Sequence, residues 1–272
     1  MNIVIGKNSN LSYNLNKGIN NTILISSKNI MEELDKLHLN KYTKLNIIFN
    51  NFQTATKLND ISEPIEYINR SIMITAKVLE YIVINALDVN KIIYTSSSSV
   101  YGNNILCNES DILNPLSLHS SLKVANEKLI EKFCIDNKID YTIARIFNMY
   151  GGNDSFSVVS KIINAYKNNQ GLTIVNNGNA IRDFIHIDDV VSIYIKLLEI
   201  NDTHILNIGT GSGSSIKGIL DFLSNNGIKI QTNNIFRDEL KTSTSDARLL
   251  FEVTAKNDFI KIEKYLKGEL NL

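Results

Sequence analysis

The residues whose types and spacing are best suited to chemistry lie between Tyr94 and Glu127. An apolar stretch, Ile92-Ile93-Tyr94, reads as a strand running into four serines, with Ser96 to Ser99 expected to stand exposed at its carboxyl end. About twenty residues on, Pro115 and Ser117 precede a long helical pattern and mark its start. His119 and Lys123 are four apart and share one face of that helix. A hydroxyl from a strand and an amine from a helix can converge on one substrate in the crevice of an open α/β sheet. A neutral imidazole at His119 can act there as a base toward a hydroxyl, directly or through one water.

These residues resemble the active-site region of the extended short-chain dehydrogenases/reductases, the nucleotide-sugar epimerases, dehydratases and ketoreductases. The pattern is SSSSVYG followed by P-x-S-x-[Tyr]-x-x-x-Lys-x-x-x-Glu, which Pro115, Ser117, Lys123 and Glu127 match. Ser97, four before Tyr101, falls at the catalytic Ser/Thr position, and His119 stands where the family has its tyrosine. The resemblance implies a Rossmann-like doubly wound parallel sheet over residues 1–149, binding NADP or NAD. A smaller substrate-binding part is expected over 150–272, with about 182–211 returning to the sheet. It further implies that Ser97, His119 and Lys123 are catalytic, that Lys123 also holds the cofactor ribose, and that Ser98 meets the substrate. The dehydratases carry an Asp-Glu pair where this chain has Ser98-Ser99, which counts against 4,6-dehydration. A 4-ketoreductase or 4-epimerase acting on a nucleotide-diphosphate hexose is the expected activity. The alternative is a sugar-nucleotide-binding homologue that has lost hydride chemistry.

The elements that must position these groups can be followed from the N-terminus. Asn2 to Ile5 is a short apolar strand, followed by Gly6-x-x-Ser9-x-x-Ser12 and a helical pattern, where the family has three glycines. Such a turn lets the backbone approach a pyrophosphate at a helix N-terminus, so Gly6, Ser9, Asn10 and Leu11 are assigned to the cofactor. An ordinary strand-turn-helix is the other reading of the same residues. Thr22 to Ile25 is a second strand ending at Ser27 and Lys28, a polar and basic end that suits a 2′-phosphate. About twenty residues then lead to the strand Leu45–Phe49, leaving little room for the usual intervening strand. Asn50-Asn51-Phe52-Gln53 follows where the family has a turn against the cofactor, and Asn51 is assigned there. Asn69 resembles the family's inward asparagine that supports the active site, and is assigned with these residues to the cofactor.

Further on, Asn148 belongs to a segment resembling Arg-x-x-Asn-x-Tyr-Gly and is assigned to the sugar nucleotide, a turn residue being its other reading. Gly178 to Asp189 resembles the family block Gly-x-x-x-Arg-Asp-Phe-x-x-Val-Asp-Asp. Arg182 can fork two hydrogen bonds to a diphosphate, or pair with Asp183 or Asp189. His186, between isoleucines at strand spacing, is expected to be a core-facing or interdomain histidine rather than a ligand. The glycines of Asn207–Gly211 either cradle phosphate or return the chain from the sheet. Arg248 is the candidate for closing on the nucleotide.

Bulk properties bound the partners. Lys plus Arg and Asp plus Glu number 28 each, so no net field draws nucleic acid or an anionic membrane. Two cysteines fit a reducing cytoplasm better than a disulfide framework. No basic start with a long apolar run and no membrane-length apolar stretch is present, so a cytoplasmic location is expected. No cluster has metal-ligand spacing, and no metal site is expected. The helices near Glu66–Leu87 and Ser117–Asp136 correspond to a four-helix dimer interface in the family, with Ile72, Leu79, Ile82, Val83, Leu129 and Phe133 as apolar residues available for it.

Overall fold

A computed structural model describes residues 1–39, 44–51 and 64–272 of the chain. The first half runs β1 (Asn2–Ile5), α1 (Asn10–Gly18), β2 (Thr22–Ile25), α2 (Ile30–Asp35), β3 (Leu45–Phe49) and α3 (Pro64–Ile68). A π-helical turn over Asn69–Met73 joins α3 to α4 (Ile74–Ile84). Then come β4 (Val89–Ser97), a 3₁₀ turn (Ser98–Tyr101), β5 (Leu106–Cys107) and α5 (Leu118–Asn137). The second half begins with β6 (Asp140–Ile146), β7 (Asn148–Tyr150), α6 (Val158–Lys167), β8 (Leu172–Val175), β9 (Ile181–His186) and α7 (Ile187–Leu197). It closes with β10 (Ile205–Ile208), β11 (Gly213–Ser215), α8 (Ile216–Asn225), β12 (Thr232–Ile235), β13 (Thr242–Ser245), α9 (Arg248–Thr254) and α10 (Ile262–Leu270).

The chain forms two compact units. One comprises Met1–Gly102, Ile112–Arg145 and Tyr194–Leu206; the other comprises Asn103–Asp111, Ile146–Ile193 and Asn207–Leu272. The first is built on a parallel sheet of order β10-β6-β4-β3-β1-β2, the α/β architecture expected from the sequence. Its inner strands carry apolar runs such as Ile3–Ile5, Ile47–Phe49 and Ile92–Tyr94, the pattern of a parallel sheet covered by helices. Its core includes Ile3, Ile5, Ile47, Phe49, Ile92, Tyr94, Val78 and Ile130. The connection from β2 to β3 carries only α2 among its described residues, in keeping with the trimmed cofactor half.

The second unit is built on strands in the order β11-β9-β13-β5, with β7 beside β9 and a separate β12–β8 pair. Val159, Ile162, Phe184, Ile219, Leu223 and Leu266 form its core.

Two of the residues assigned to a dimer face are core residues instead. Leu79 and Ile82 are 3% and 4% exposed, because the inward stripe of α4 packs on the first sheet. Leu129 and Phe133 are half-buried against the same core, and Ile72 is also half-buried. The outward apolar residues of these helices include Ile68, Met73, Val83, Ile84 and Ile135.

Candidate active site

Strand β4 and helix α5 bring the chemistry-bearing residues together. Alternation along β4 sends successive side chains to opposite faces. The Thr95 hydroxyl meets Tyr194 Oη at 2.8 Å, while the Ser96 hydroxyl donates a short hydrogen bond to Glu127 Oε1. Ser96 is therefore buried, contrary to the exposure expected of it. Ser97 and Ser98 are half-buried, and only Ser99 is exposed. Ser97 caps the 3₁₀ turn, its Oγ accepting from Ser99 N–H at 3.2 Å.

Helix α5 starts with a capping box in which Ser117 and Ser120 satisfy one another's backbone N–H groups. This fixes His119 in the first turn, half-buried, and Lys123 one turn on. The Lys123 Nζ donates to Thr95 O at 2.6 Å, two residues before Ser97, and lies 5.2 Å from the Tyr94 ring centroid. Burial pulls the Lys123 amine down to about 7, against the opposing pull of the Glu127 carboxylate. Glu127 is held by Arg145, whose Nε and Nη2 donate to its two oxygens at 3.2 and 2.8 Å. Arg145 Nη1 donates to Tyr101 Oη at 2.9 Å. Sequence reading placed Glu127 in the pattern but missed the network, whose Arg145 arrives from another strand.

The β1–α1 turn is tight. Gly6 has φ +111°, and a Cβ there would strike Asn50 O. Ser9 caps α1, accepting from Ser12 N–H at 3.0 Å. Glycine at the close approach and an ordered helix start fit a pyrophosphate at this place. Leu11 is 3% exposed, so its side chain serves the core and only its backbone can face a ligand. The Asn10 side-chain oxygen accepts from Asn14 Nδ2 at 3.1 Å.

At the end of β2, Ser27 is half-buried and Lys28 exposed. A carboxylate also reaches this end: Glu33, on α2, accepts from Ser26 N–H at 3.2 Å. Inspection of the strand end missed it because it belongs to the next helix. Asn51 is buried, its Nδ2 donating to the carbonyls of Arg70 and Ser71 at 3.4 and 3.3 Å in the π turn. That turn shifts the helix register, and Asn69 is exposed rather than inward. Ser71 faces in, its hydroxyl donating to Tyr67 O at 2.8 Å. Phe52 and Gln53 lie outside the described residues.

In the second unit, Asn148 Nδ2 donates to Asp183 O at 2.9 Å. Arg182 is paired with neither Asp183 nor Asp189; its Nη2 lies 3.5 Å from Glu239 Oε1 and its Nη1 donates to Ile181 O at 2.9 Å. Asp189 instead binds Lys256 Nζ and Ile260 N–H, each at 2.8 Å. Asp183 accepts from Thr210 N–H, Thr210 Oγ1, Gly211 N–H, Ser245 N–H and Ser245 Oγ, at 2.6–3.1 Å. The Thr210–Gly211 turn thus spends its N–H groups on an internal carboxylate, which favours a chain return over a phosphate cradle. Arg248 pairs with Asp246 while its side chain stays 85% exposed. His186 is core-facing as expected. It packs on Tyr150 and Tyr265, accepts from Asp188 N–H at 3.2 Å, and has its pKa lowered by burial.

Residues 11–209 match the profile of the NAD dependent epimerase/dehydratase family. The chain belongs to that family. An ADP-L-glycero-D-manno-heptose-6-epimerase of Brachyspira hyodysenteriae is 35% identical over 136 residues, 46% of this chain and 43% of that protein. A dTDP-D-glucose 4,6-dehydratase of Dictyostelium discoideum is 29% identical over 167 residues, 56% of this chain and 38% of that one. The chain spans about half the length of the first curated relatives it matches, 55% and 53%. Among solved structures, MoeE5 in complex with UDP-glucuronic acid and NAD superposes with a TM-score of 0.86, covering 99% of this chain and 97% of that one at 22% identity. That likeness shows the shared fold. No helix among the described residues is long and apolar enough to cross a membrane.

Proposed function

We propose that the chain is a nucleotide-sugar modifying oxidoreductase, an NAD(P)-dependent 4-ketoreductase or 4-epimerase acting on a nucleotide-diphosphate hexose. The observation that carries this reading is the bond from Lys123 Nζ to Thr95 O, which seats the helix amine at the strand end that bears Ser97. Family membership supports it, as do the NAD and UDP-sugar that the structural neighbour binds. A bound nicotinamide would accept or return a hydride at a hexose carbon. Gly6, the backbone of Ser9, Asn10 and Leu11, Ser27, Asn51 and Lys123 would hold that cofactor.

The chain's own groups supply the rest. Ser97 donates a hydrogen bond to the reacting oxygen, and His119 takes or returns its proton, directly or through one water. Lys123, whose buried amine changes charge near neutral pH, biases that proton transfer. Ser98, Asn148, Arg182 and Arg248 bind the sugar nucleotide, with Arg182 suited to its diphosphate. The Glu33 carboxylate at the end of β2 suits a ribose hydroxyl and repels a 2′-phosphate, which favours NAD over NADP despite Lys28.

Fluorescence titration with NADH and NADPH tests the reading. Binding of either, NADH the tighter, is expected; binding of neither removes hydride chemistry and leaves the sugar-nucleotide-binding homologue. We further propose a cytoplasmic homodimer through α4 and α5, using Met73, Val83, Ile84 and Ile135. Sedimentation at micromolar concentration showing monomer alone would refute the dimer.

A further inference from the structure

The turn expected to meet the pyrophosphate carries serines where the resembling family has glycines, and the fold deals with them through a residue from another strand. Asn50 ends β3, where its N–H donates to Ile5 O at 2.8 Å and its carbonyl lies against Gly6. Its side-chain Nδ2 donates both hydrogens into the α1 turn, to Ser9 Oγ at 2.5 Å and Ser12 Oγ at 2.8 Å. Ser9 Oγ also accepts from Ser12 N–H and donates to Ser12 Oγ, each at 3.0 Å. The Ser9 hydroxyl thereby has two accepted bonds and one donated bond, its full complement. Ser12 is fully buried. Both hydroxyls are tied inward, toward β3.

We propose that Asn50 is a positioning residue for the dinucleotide: its amide clamps the Ser9 and Ser12 hydroxyls out of the pyrophosphate's path. The clamp does for a serine turn what missing side chains do for a glycine turn. This rests on the reading of the chain as a dinucleotide-dependent enzyme. Without the amide, the two hydroxyls keep only their bonds to each other and to Ser12 N–H, and can turn toward the remaining N–H groups that the helix start offers an anion. A carboxylate at position 50 would place like charge beside the pyrophosphate.

The test is NADH affinity of Asn50→Ala by fluorescence titration, with UDP-glucose affinity by calorimetry and a thermal melt as controls. NADH binding should weaken roughly tenfold, equivalent to about 1.4 kcal/mol, while UDP-glucose binding shifts by less than about twofold. In the triple variant Ser9→Gly/Ser12→Gly/Asn50→Ala, with no hydroxyls left to clamp, NADH binding should return to within about threefold of the starting protein. Ser12→Ala removes one acceptor only and keeps the test open if Asn50→Ala fails to fold; a weakening of about threefold is expected. Unchanged NADH affinity in Asn50→Ala, parallel loss of NADH and UDP-glucose binding, or no recovery in the triple variant overturns the clamp. If the unaltered protein binds neither NADH nor NADPH, the dinucleotide reading fails and takes the clamp with it. Binding by the unaltered protein with indifferent variants defeats the clamp alone.

Discussion

Glu127 and Asp183 are both carboxylates with almost no exposure, 1% and 0%, each in a different unit of the chain. Glu127 is balanced by charge: Arg145 holds it with two hydrogen bonds and Lys123 lies one helical turn away. Asp183 is balanced by neutral dipoles, accepting from the main chain and hydroxyls of Thr210, Gly211 and Ser245. The first arrangement links three ionisable groups, so a proton gained or lost at one is felt by the others. The second closes a turn around a fixed charge, and such a carboxylate serves as a staple. The amine displaced toward neutral pH, Lys123, stands beside Glu127 on the same helix.

The sharpest way to break this contrast is to remove one partner from each carboxylate. Arg145→Met leaves Glu127 as an uncompensated buried charge and should cost about 4 kcal/mol in denaturant unfolding, most of it recovered in Glu127→Leu/Arg145→Met. Asp183→Asn should cost about 2 kcal/mol, since the amide turns a donor toward N–H groups. No second substitution should rescue it, because three of the five donors are main-chain N–H groups. Equal rescue in both cases would mean that the two carboxylates are held alike.

A smaller effect separates them by pH. Burial depresses Lys123 to about 7 in the folded chain, while an unfolded lysine keeps its ordinary, higher value. Below pH 7 both states carry the proton, and the penalty of burying the charge is fully present. As pH rises above 7 the folded state sheds the proton first, so the unfolded state binds more protons and stability increases. The stability of Lys123→Met relative to the unaltered protein should therefore be greatest at about pH 6 and decline by about pH 9. A difference independent of pH would show that the amine is not held in a low-dielectric site.

The smallest effect concerns His186 in the second unit. Burial lowers its pKa, although Asp188 and Asp189 oppose that shift. Below the unfolded value of ~6.5 the unfolded state takes up a proton that the folded state resists, so stability falls with pH. His186→Gln should flatten this acid limb by a fraction of a unit in melting-curve pH dependence. An unchanged limb would assign it to carboxylates instead.

Strand β4, helix α5 with its serine cap, and the one-turn spacing of His119, Lys123 and Glu127 follow from the sequence itself. Apolar runs, capping residues and helical periodicity act over a few neighbouring residues, so their signals survive without a fold. The core-facing His186 was legible for the same reason, whereas the block around Asp183 was legible only through its resemblance to the family. Burial of Ser96 was decided elsewhere, by Glu127 and Arg145, 31 and 49 positions along the chain. The Asn50 clamp joins residues 41 and 38 apart, and Glu33 reaches the end of β2 from the following helix. The inward asparagine was lost to a π turn that begins at Asn69 and breaks the α-helical register there. Local pattern names which groups are present, but hydrogen bonds between distant segments choose which of them face a ligand and which face each other.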